Sequence, residues 1–316
     1  MMKRLLVVSV LLLVFVGTLG SAQAEEVRLI LATGGTAGTY YPLGGSMAKI
    51  WNSKISGMNV TAQTTGASAE NVRLVNKKEA ELALVQSDTL DFAFKAEAPF
   101  KEKLTAMAAI AVLYPEVIQV VVRADKPVKT FADLKGLKMG VGAPGSGTEA
   151  NFRQLCDVYG LAKGDINAQY LSFSESAEQF KDKHIDAFLV TAGLPNPGIM
   201  DVSTQNDVRI LSISDDMVKK ITTKYPFLSP VKVPANTYKN VPEASTVAVN
   251  AVLIVNSGIK EDVVYNLTKA LFDNQPELAA AHAKGKEVNL QTAVKGVSIP
   301  FHPGAVKYYK EKGAMK

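Results

Sequence analysis

The sequence predicts an α/β protein built from two similar lobes. One structural unit occurs twice: the glycine-rich runs Gly35–Tyr40 and Gly145–Glu149 each follow an apolar stretch and precede a helix-like run. The corresponding glycines, Gly38 and Gly147, are 109 residues apart. Apolar strand-like runs also alternate with amphipathic runs along both copies, which is typical of βαβ units and parallel sheets. Two such lobes side by side predict a cleft that closes on a small polar ligand.

The elements of each copy are predicted in the same order. The first copy predicts strands over 27–31, 58–64 and 82–85, helices over 42–51 and 68–76, and a continuation of the sheet over 104–113. Pro42 suits the first position of its helix, because proline is favoured there. The second copy predicts helices over 131–134, 148–159, 176–183 and from 215, and strands over 137–141, 168–171, 185–190 and 208–213. A proline-punctuated loop over 225–242 and further helices after 261 complete the chain.

Two long β-branched runs, 117–122 and 246–255, flank the second copy and predict a pair of hinge strands. The C-terminal helices are then expected to pack back on the first lobe. This makes lobe 1 discontinuous, with residues 25–116 plus 252–316, and lobe 2 continuous, with residues 117–251. Two consecutive domains joined by an ordinary linker are the alternative.

The first 24 residues have the pattern of a secretory signal peptide. Lys3-Arg4 precedes an apolar run over 5–16, and Ala22-Gln23-Ala24 provides a cleavage site before Glu25. The apolar run is too short to span a bilayer comfortably. No cysteine stands at the cleavage point, so we expect a free periplasmic protein without a lipid anchor.

Charge and composition argue against several classes of partner. Without Lys3 and Arg4 the formal charge falls from +5 to +3, and the lysines are scattered, so a nucleic-acid partner is not predicted. The single cysteine, Cys156, cannot form an intramolecular disulfide, and the three histidines are far apart. Neither a metal site nor a cofactor is predicted, and a monomer is expected.

The glycine-rich turns are candidate anion sites. A glycine turn at the start of a helix lets backbone N–H groups point outward, where the helix N-terminus adds partial positive charge. In the second copy the candidates are Ser146, Gly147 and Thr148. In the first copy, the candidate residues are Gly38, Thr39, Tyr40 and Tyr41. The alternative is a simple turn in which the glycines permit the bend and Thr148 caps its helix.

The second turn has the glycine spacing of a nucleotide-binding P-loop over 142–147. That motif then requires Lys followed by Ser or Thr, but Thr148 and Glu149 stand there, so ATP is not expected.

Polar residues at the ends of two strands extend the candidate site. Gln86 and Ser87 follow the strand that ends at 85, and Thr191 follows the matching strand of the second copy. Ligands of open α/β sheets bind beyond the carboxyl ends of strands. Helix capping by Ser87 or Asp88 is the alternative.

These residues resemble a known family. The runs Gly34–Gly45, Gln86-Ser87-Asp88 and Gly142–Glu149 are similar to those of the TAXI family, the extracytoplasmic solute receptors of TRAP transporters. The resemblance implies a two-lobed type II periplasmic binding protein fold with hinge strands. It also implies a small carboxylate or amino acid of the glutamate or glutamine class as ligand, and delivery to a TRAP membrane permease. By the same resemblance, the ligand would be faced by Thr39, Tyr40, Gln86, Ser87, Ser146, Gly147, Thr148 and Thr191.

Two alternatives remain open at this point. An ABC-type periplasmic receptor for a sulfonate, phosphonate or vitamin precursor would have a similar fold. An enzyme on the same scaffold would need a base such as Glu149 or Asp88. No nucleophile, base and orienting group can be assembled from the sequence, so catalysis is not expected.

Overall fold

A computed structural model describes residues 26–316 of the chain. The predicted signal peptide over residues 1–24 lies outside the described residues. Within the described part, no helix has the length and apolar character needed to cross a membrane.

One sheet of ten strands runs through the described residues, with helices packed on it. The strands are β1 (Val27–Ala32), β2 (Met58–Gln63), β3 (Leu82–Gln86), β4 (Met107–Arg123), β5 (Lys138–Gly140), β6 (Asn167–Gln169), β7 (Ala187–Ala192), β8 (Val208–Ile210), β9 (Ser229–Val233) and β10 (Ala244–Asn256). The helices are α1 (Tyr40–Lys54), α2 (Ser68–Lys77), α3 (Ser87–Lys95), α4 (Gly147–Tyr159), α5 (Phe173–Lys181), α6 (Pro197–Gln205), α7 (Asp215–Lys224), α8 (Glu261–Asp273), α9 (Gln275–Ala281), α10 (Leu290–Ala293) and α11 (Pro303–Glu311). Short 3₁₀ turns lie at Phe131–Leu134 and Ala283–Glu287.

The internal repeat is confirmed by the strand topology. In the first copy, β1 lies between β2 and β3 and is parallel to both. In the second copy, β5 lies between β6 and β7 and is parallel to both. Each copy therefore places the carboxyl ends of its parallel strands, and the helices that follow them, at one edge of its half of the sheet.

The two halves are joined by the long strands β4 and β10, which pair antiparallel from Met107 opposite Asn256 to Val117 opposite Ala248. The predicted pairing of two hinge strands is confirmed. The prediction of separate strands over 104–113 and 117–122 was wrong, because β4 continues through Pro115, which lies opposite Asn250 and is exposed. The predicted loop over 225–242 also contains β9, which pairs with β10.

The hydrophobic cores divide at the same place. Two clusters of buried side chains draw only on residues 29–114 and 251–309. The other two draw only on residues 117–249. This division supports the predicted boundaries of lobe 1 (residues 25–116 plus 252–316) and lobe 2 (residues 117–251), which remain a prediction. We use these two names below.

Candidate ligand-binding site

A cavity of about 90 Å³ lies between the two lobes. One water needs only about 10–15 Å³ of such space, so the cavity holds a small molecule. Lobe 1 supplies its wall from the turn after β1, the start of α2, the end of β3 and the middle of β4. Lobe 2 supplies the turn before α4, the start of α5 and the end of β7. The lining residues are Gly34, Gly35, Gly38, Thr39, Tyr40, Thr65, Gly66, Ala67, Ser68, Gln86, Tyr114, Glu116, Ala143, Ser146, Gly147, Thr148, Ser172, Phe173, Thr191 and Ala192.

Five helices of the described residues begin at this cavity. The N-cap residues of α1 to α5 all belong to its wall; they are Thr39, Ala67, Gln86, Ser146 and Ser172. A helix N-terminus carries about half a positive charge, and its first N–H groups have no partner within the helix. The cavity wall of residues 26–316 contains no lysine, arginine or histidine. The groups of this wall that can favour a small anion are therefore the backbone N–H groups at the helix N-termini.

Unpaired polar atoms converge on the same space. Eight buried side-chain oxygen atoms of residues 26–316 lack a hydrogen-bond partner, and five of them belong to cavity-lining residues. These five are Tyr40 Oη, Gln86 Oε1, Tyr114 Oη, Glu116 Oε1 and Thr191 Oγ1. Buried polar atoms without a partner cost stability, so such a cluster indicates a place where a ligand supplies the missing bonds.

Glu116 is the one carboxyl group in the described wall of the cavity. It lies on β4, is 2 % exposed, and its Oε2 accepts a hydrogen bond of 3.2 Å from Gln86 Nε2. Burial raises the pKa of Glu116 to about 8, although the Tyr40 hydroxyl and the Gln86 amide partly offset this. The Asp88 carboxyl raises the pKa of Glu116 further.

Most of the predicted site residues line the cavity. Eight do so: Gly38, Thr39, Tyr40, Gln86, Ser146, Gly147, Thr148 and Thr191. Tyr41 does not, because the next residue of a helix points about 100° away, and its side chain is 37 % exposed on the outer surface. Ser87 is buried at the start of α3 but does not line the cavity. The role of all ten residues in binding remains a prediction.

Part of the wall was not predicted from the sequence. Tyr114 and Glu116 lie between the predicted strands over 104–113 and 117–122, although a lone glutamate beside a β-branched run was a usable signal. The starts of α2 and α5, which supply Ser68 and Ser172, were also not predicted as parts of the wall.

The two carboxylates considered as catalytic bases do not line the cavity. Asp88 is fully buried and accepts hydrogen bonds of 2.9 Å from Asn151 Nδ2 and from Gln154 Nε2. Glu149 accepts a hydrogen bond of 2.6 Å from the Gly145 N–H and pairs with Arg153.

Direct contacts between the lobes close the cavity. Asp88 on α3 of lobe 1 is bonded to α4 of lobe 2, as described above. The Gly193 N–H donates to Thr39 Oγ1 at 3.1 Å, and the Ala69 N–H donates to the Gly145 carbonyl at 3.1 Å. These hydrogen bonds join lobe 1 directly to lobe 2. The structure therefore shows the two lobes in contact, as in a closed arrangement.

Comparison with known proteins identifies the family. The NMT1-like family matches residues 31–313. The chain belongs to the NMT1-like family. Membership of the TAXI receptors is a more specific assignment, and it remains a prediction from the sequence resemblance.

Solved structures share the fold of this NMT1-like protein. One from Bordetella bronchiseptica RB50 is 18 % identical, has a TM-score of 0.57, and the match covers 92 % of this chain and 89 % of that one. The alkanesulfonate-binding protein SsuA from Xanthomonas axonopodis pv. citri, bound to MOPS, is 14 % identical with a TM-score of 0.50 and 92 % coverage of both chains. The ligand-binding component of an ABC-type import system from Staphylococcus aureus is 10 % identical with a TM-score of 0.51, covering 91 % of this chain and 92 % of that one. The predicted two-lobed type II periplasmic binding protein fold is confirmed.

Proposed function

We propose that this protein is a periplasmic solute receptor that encloses one small anion between its lobes and delivers it to a membrane permease. The observation that carries the proposal is the set of five unpaired buried oxygen atoms around a closed cavity at which five helices of residues 26–316 begin. Backbone N–H groups at the start of α4 would bind the anionic group. The side chains of Gln86, Tyr114 and Thr191 would bind the rest of the molecule.

The class of anion separates two candidate transport systems. The resemblance of the glycine-rich turns to TAXI receptors favours a carboxylate or amino acid of the glutamate or glutamine class and a TRAP permease. The likeness to an alkanesulfonate-binding protein and to an ABC-type import component favours the ABC alternative, with a sulfonate, phosphonate or vitamin precursor as ligand. The comparisons support the ABC alternative better than the TRAP system. A gene for an ATPase next to the receptor gene would support it further, whereas a gene for a large multi-span permease would support TRAP.

Thermal melting of the mature protein tests the proposal. The panel contains dicarboxylates, L-glutamate, L-glutamine, alkanesulfonates and alkylphosphonates, with sodium chloride at equal ionic strength as the control. A ligand at a hundred times its Kd should stabilise the protein by about 2.7 kcal/mol. If no member of the panel raises the Tm at millimolar concentration, the receptor proposal is contradicted.

A further inference from the structure

The position of Glu116 bears on how an anion is bound, and the inference drawn from it rests on the proposed function. Glu116 lies on β4 where this strand passes between the lobes, opposite Val249 of β10. One carboxyl oxygen accepts from Gln86 at 3.2 Å. The other, Oε1, makes no hydrogen bond of ordinary geometry within residues 26–316, although the Tyr40 hydroxyl lies near enough to lower the pKa of the carboxyl group. The side chain therefore lines the cavity in which the ligand is expected and has bonding capacity left for it.

No cation in the described chain compensates this carboxyl group. The titratable groups around it are acidic or phenolic: Tyr40 on α1, Tyr114 on β4 and Asp88 on α3. Glu287 lies near Tyr114, and its charge acts on that phenol. The nearby C-terminal segment does contribute Lys284, but its Nζ is bonded to Glu287 at 2.6 Å.

An ionised Glu116 would repel an anion bound in the same small cavity between the lobes. Like charges repel strongly in such surroundings, and each disfavours the charged form of the other. A protonated Glu116 has the opposite effect, because its O–H can donate a hydrogen bond to an acceptor atom of the ligand. The amide oxygen of Gln86, which has no partner and can only accept, is one neighbour that such a donor could satisfy.

We propose that Glu116 binds the ligand as a neutral, proton-bearing side chain, so that the protein takes up one proton with each anion it encloses. In the open arrangement, water reaches Glu116 and the carboxylate is ionised at neutral pH. When the lobes close on an anion, the carboxylate takes a proton from the solvent. When they open, the proton returns to the solvent together with the released anion.

The sign of the pH dependence follows from the two states. Burial raises the pKa of Glu116 from its ordinary value of 4.5 to about 8 in this structure, and on this proposal exposure to water in the open state restores the ordinary value. A raised pKa favours the closed complex at low pH, and this advantage is lost as the pH rises towards the closed-state pKa. Between about pH 5 and 8, the affinity for an anion should fall by about tenfold per pH unit, and it should level off above that range.

Calorimetry with glutarate and ethanesulfonate tests the proposal, because both are anions without a cationic group. The wild type should take up about one proton per bound anion near pH 7, measured by comparing buffers with different ionisation heats. Glu116→Gln should remove both the proton uptake and the pH dependence while retaining binding, since the amide is neutral and donates a hydrogen bond. Glu79→Gln changes an exposed carboxylate of lobe 1 and should behave as the wild type.

The opposite results would overturn the proposal. Binding to the wild type without proton uptake would show that Glu116 keeps its charge state on closure, and this measurement needs no variant. A folded Glu116→Gln protein that loses affinity about 100-fold at every pH would show that binding requires the ionised carboxylate rather than a neutral hydrogen-bond donor. If neither probe binds the wild type but another anion of the melting panel does, proton uptake is measured with that anion, and the same two outcomes support or overturn the proposal. If no anion binds at all, the proposed function fails as well.

Discussion

Replacing Gly147 by alanine should weaken ligand binding about 10- to 100-fold while the protein stays folded. A Cβ atom at this position would lie 2.0 Å from Gln86 Oε1 and 2.9 Å from Ser68 Oγ, both in the opposite lobe. Either Gln86 leaves the cavity wall or the lobes stand apart, and each response removes contacts with the ligand. Within its own lobe, Gly147 begins α4 without a positive φ angle, so alanine causes no backbone strain there.

Gly45→Ala is the matched control for this variant. Gly45 lies in α1, and a Cβ atom there would meet nothing within 4 Å. Both variants should melt near the wild-type Tm without ligand, and only Gly147→Ala should lose the stabilisation by ligand. Equal affinities of the two variants would show that the lobes do not approach each other as closely in solution.

Removing the buried carboxylate of Asp88 should also weaken binding, by roughly 30- to 1,000-fold. In Asp88→Ala, the side-chain amides of Asn151 and Gln154 lose their acceptor in the closed state. Each buried donor left unpaired costs about 1–3 kcal/mol, but Asn151 Nδ2 keeps Gln154 Oε1 as a second acceptor at 3.1 Å, so the two together cost roughly 2–4 kcal/mol. In the open state water can solvate both amides, so the cost falls on closure and therefore on the apparent ligand affinity.

Asp91→Ala provides the control, because Asp91 lies on the same helix and pairs with the exposed Lys95. Small-angle X-ray scattering of Asp88→Ala with ligand should show a larger radius of gyration than the wild type with ligand. If Asp88→Ala instead lowers the Tm of the ligand-free protein and leaves the Kd unchanged, Asp88 serves the stability of lobe 1 alone.

Much of the fold could be predicted because the repeat and the hydrophobic periodicity are local patterns. The strand before each glycine-rich turn and the helix after it lie close to their predicted bounds. Helix α3 was not among the predicted helices, because Ser87 and Asp88 were interpreted first as site residues and only in the alternative as helix caps. The continuity of β4 through Pro115 was also missed, since proline usually indicates the end of a strand. The pairing of β4 with β10 was predicted, but its extension back to Met107 opposite Asn256 depends on residues more than a hundred positions away, which local sequence does not show.

The site was predictable where it is built from turns at strand ends. Thr39, Gln86 and Thr191 were found because the carboxyl ends of parallel strands meet at one edge of a sheet. Glu116 lies in the middle of a strand, where this argument does not apply. Its importance emerges only from three-dimensional features, namely burial, the absence of a cationic partner in the described wall, and the neighbouring unpaired oxygen atoms.

The proline at the centre of β4 has a mechanical consequence. Pro115, which lies opposite Asn250, has no N–H and cannot donate a hydrogen bond in the strand ladder that joins the lobes. The register of the two strands shifts close by, between Ala251 and Val252. Rotation of one lobe against the other should therefore be concentrated at Pro115 as the hinge point, while the two hydrophobic cores stay rigid. Glu116 is adjacent to this hinge point and should move little on opening. The glycine-rich turns lie farther from it and should be displaced most.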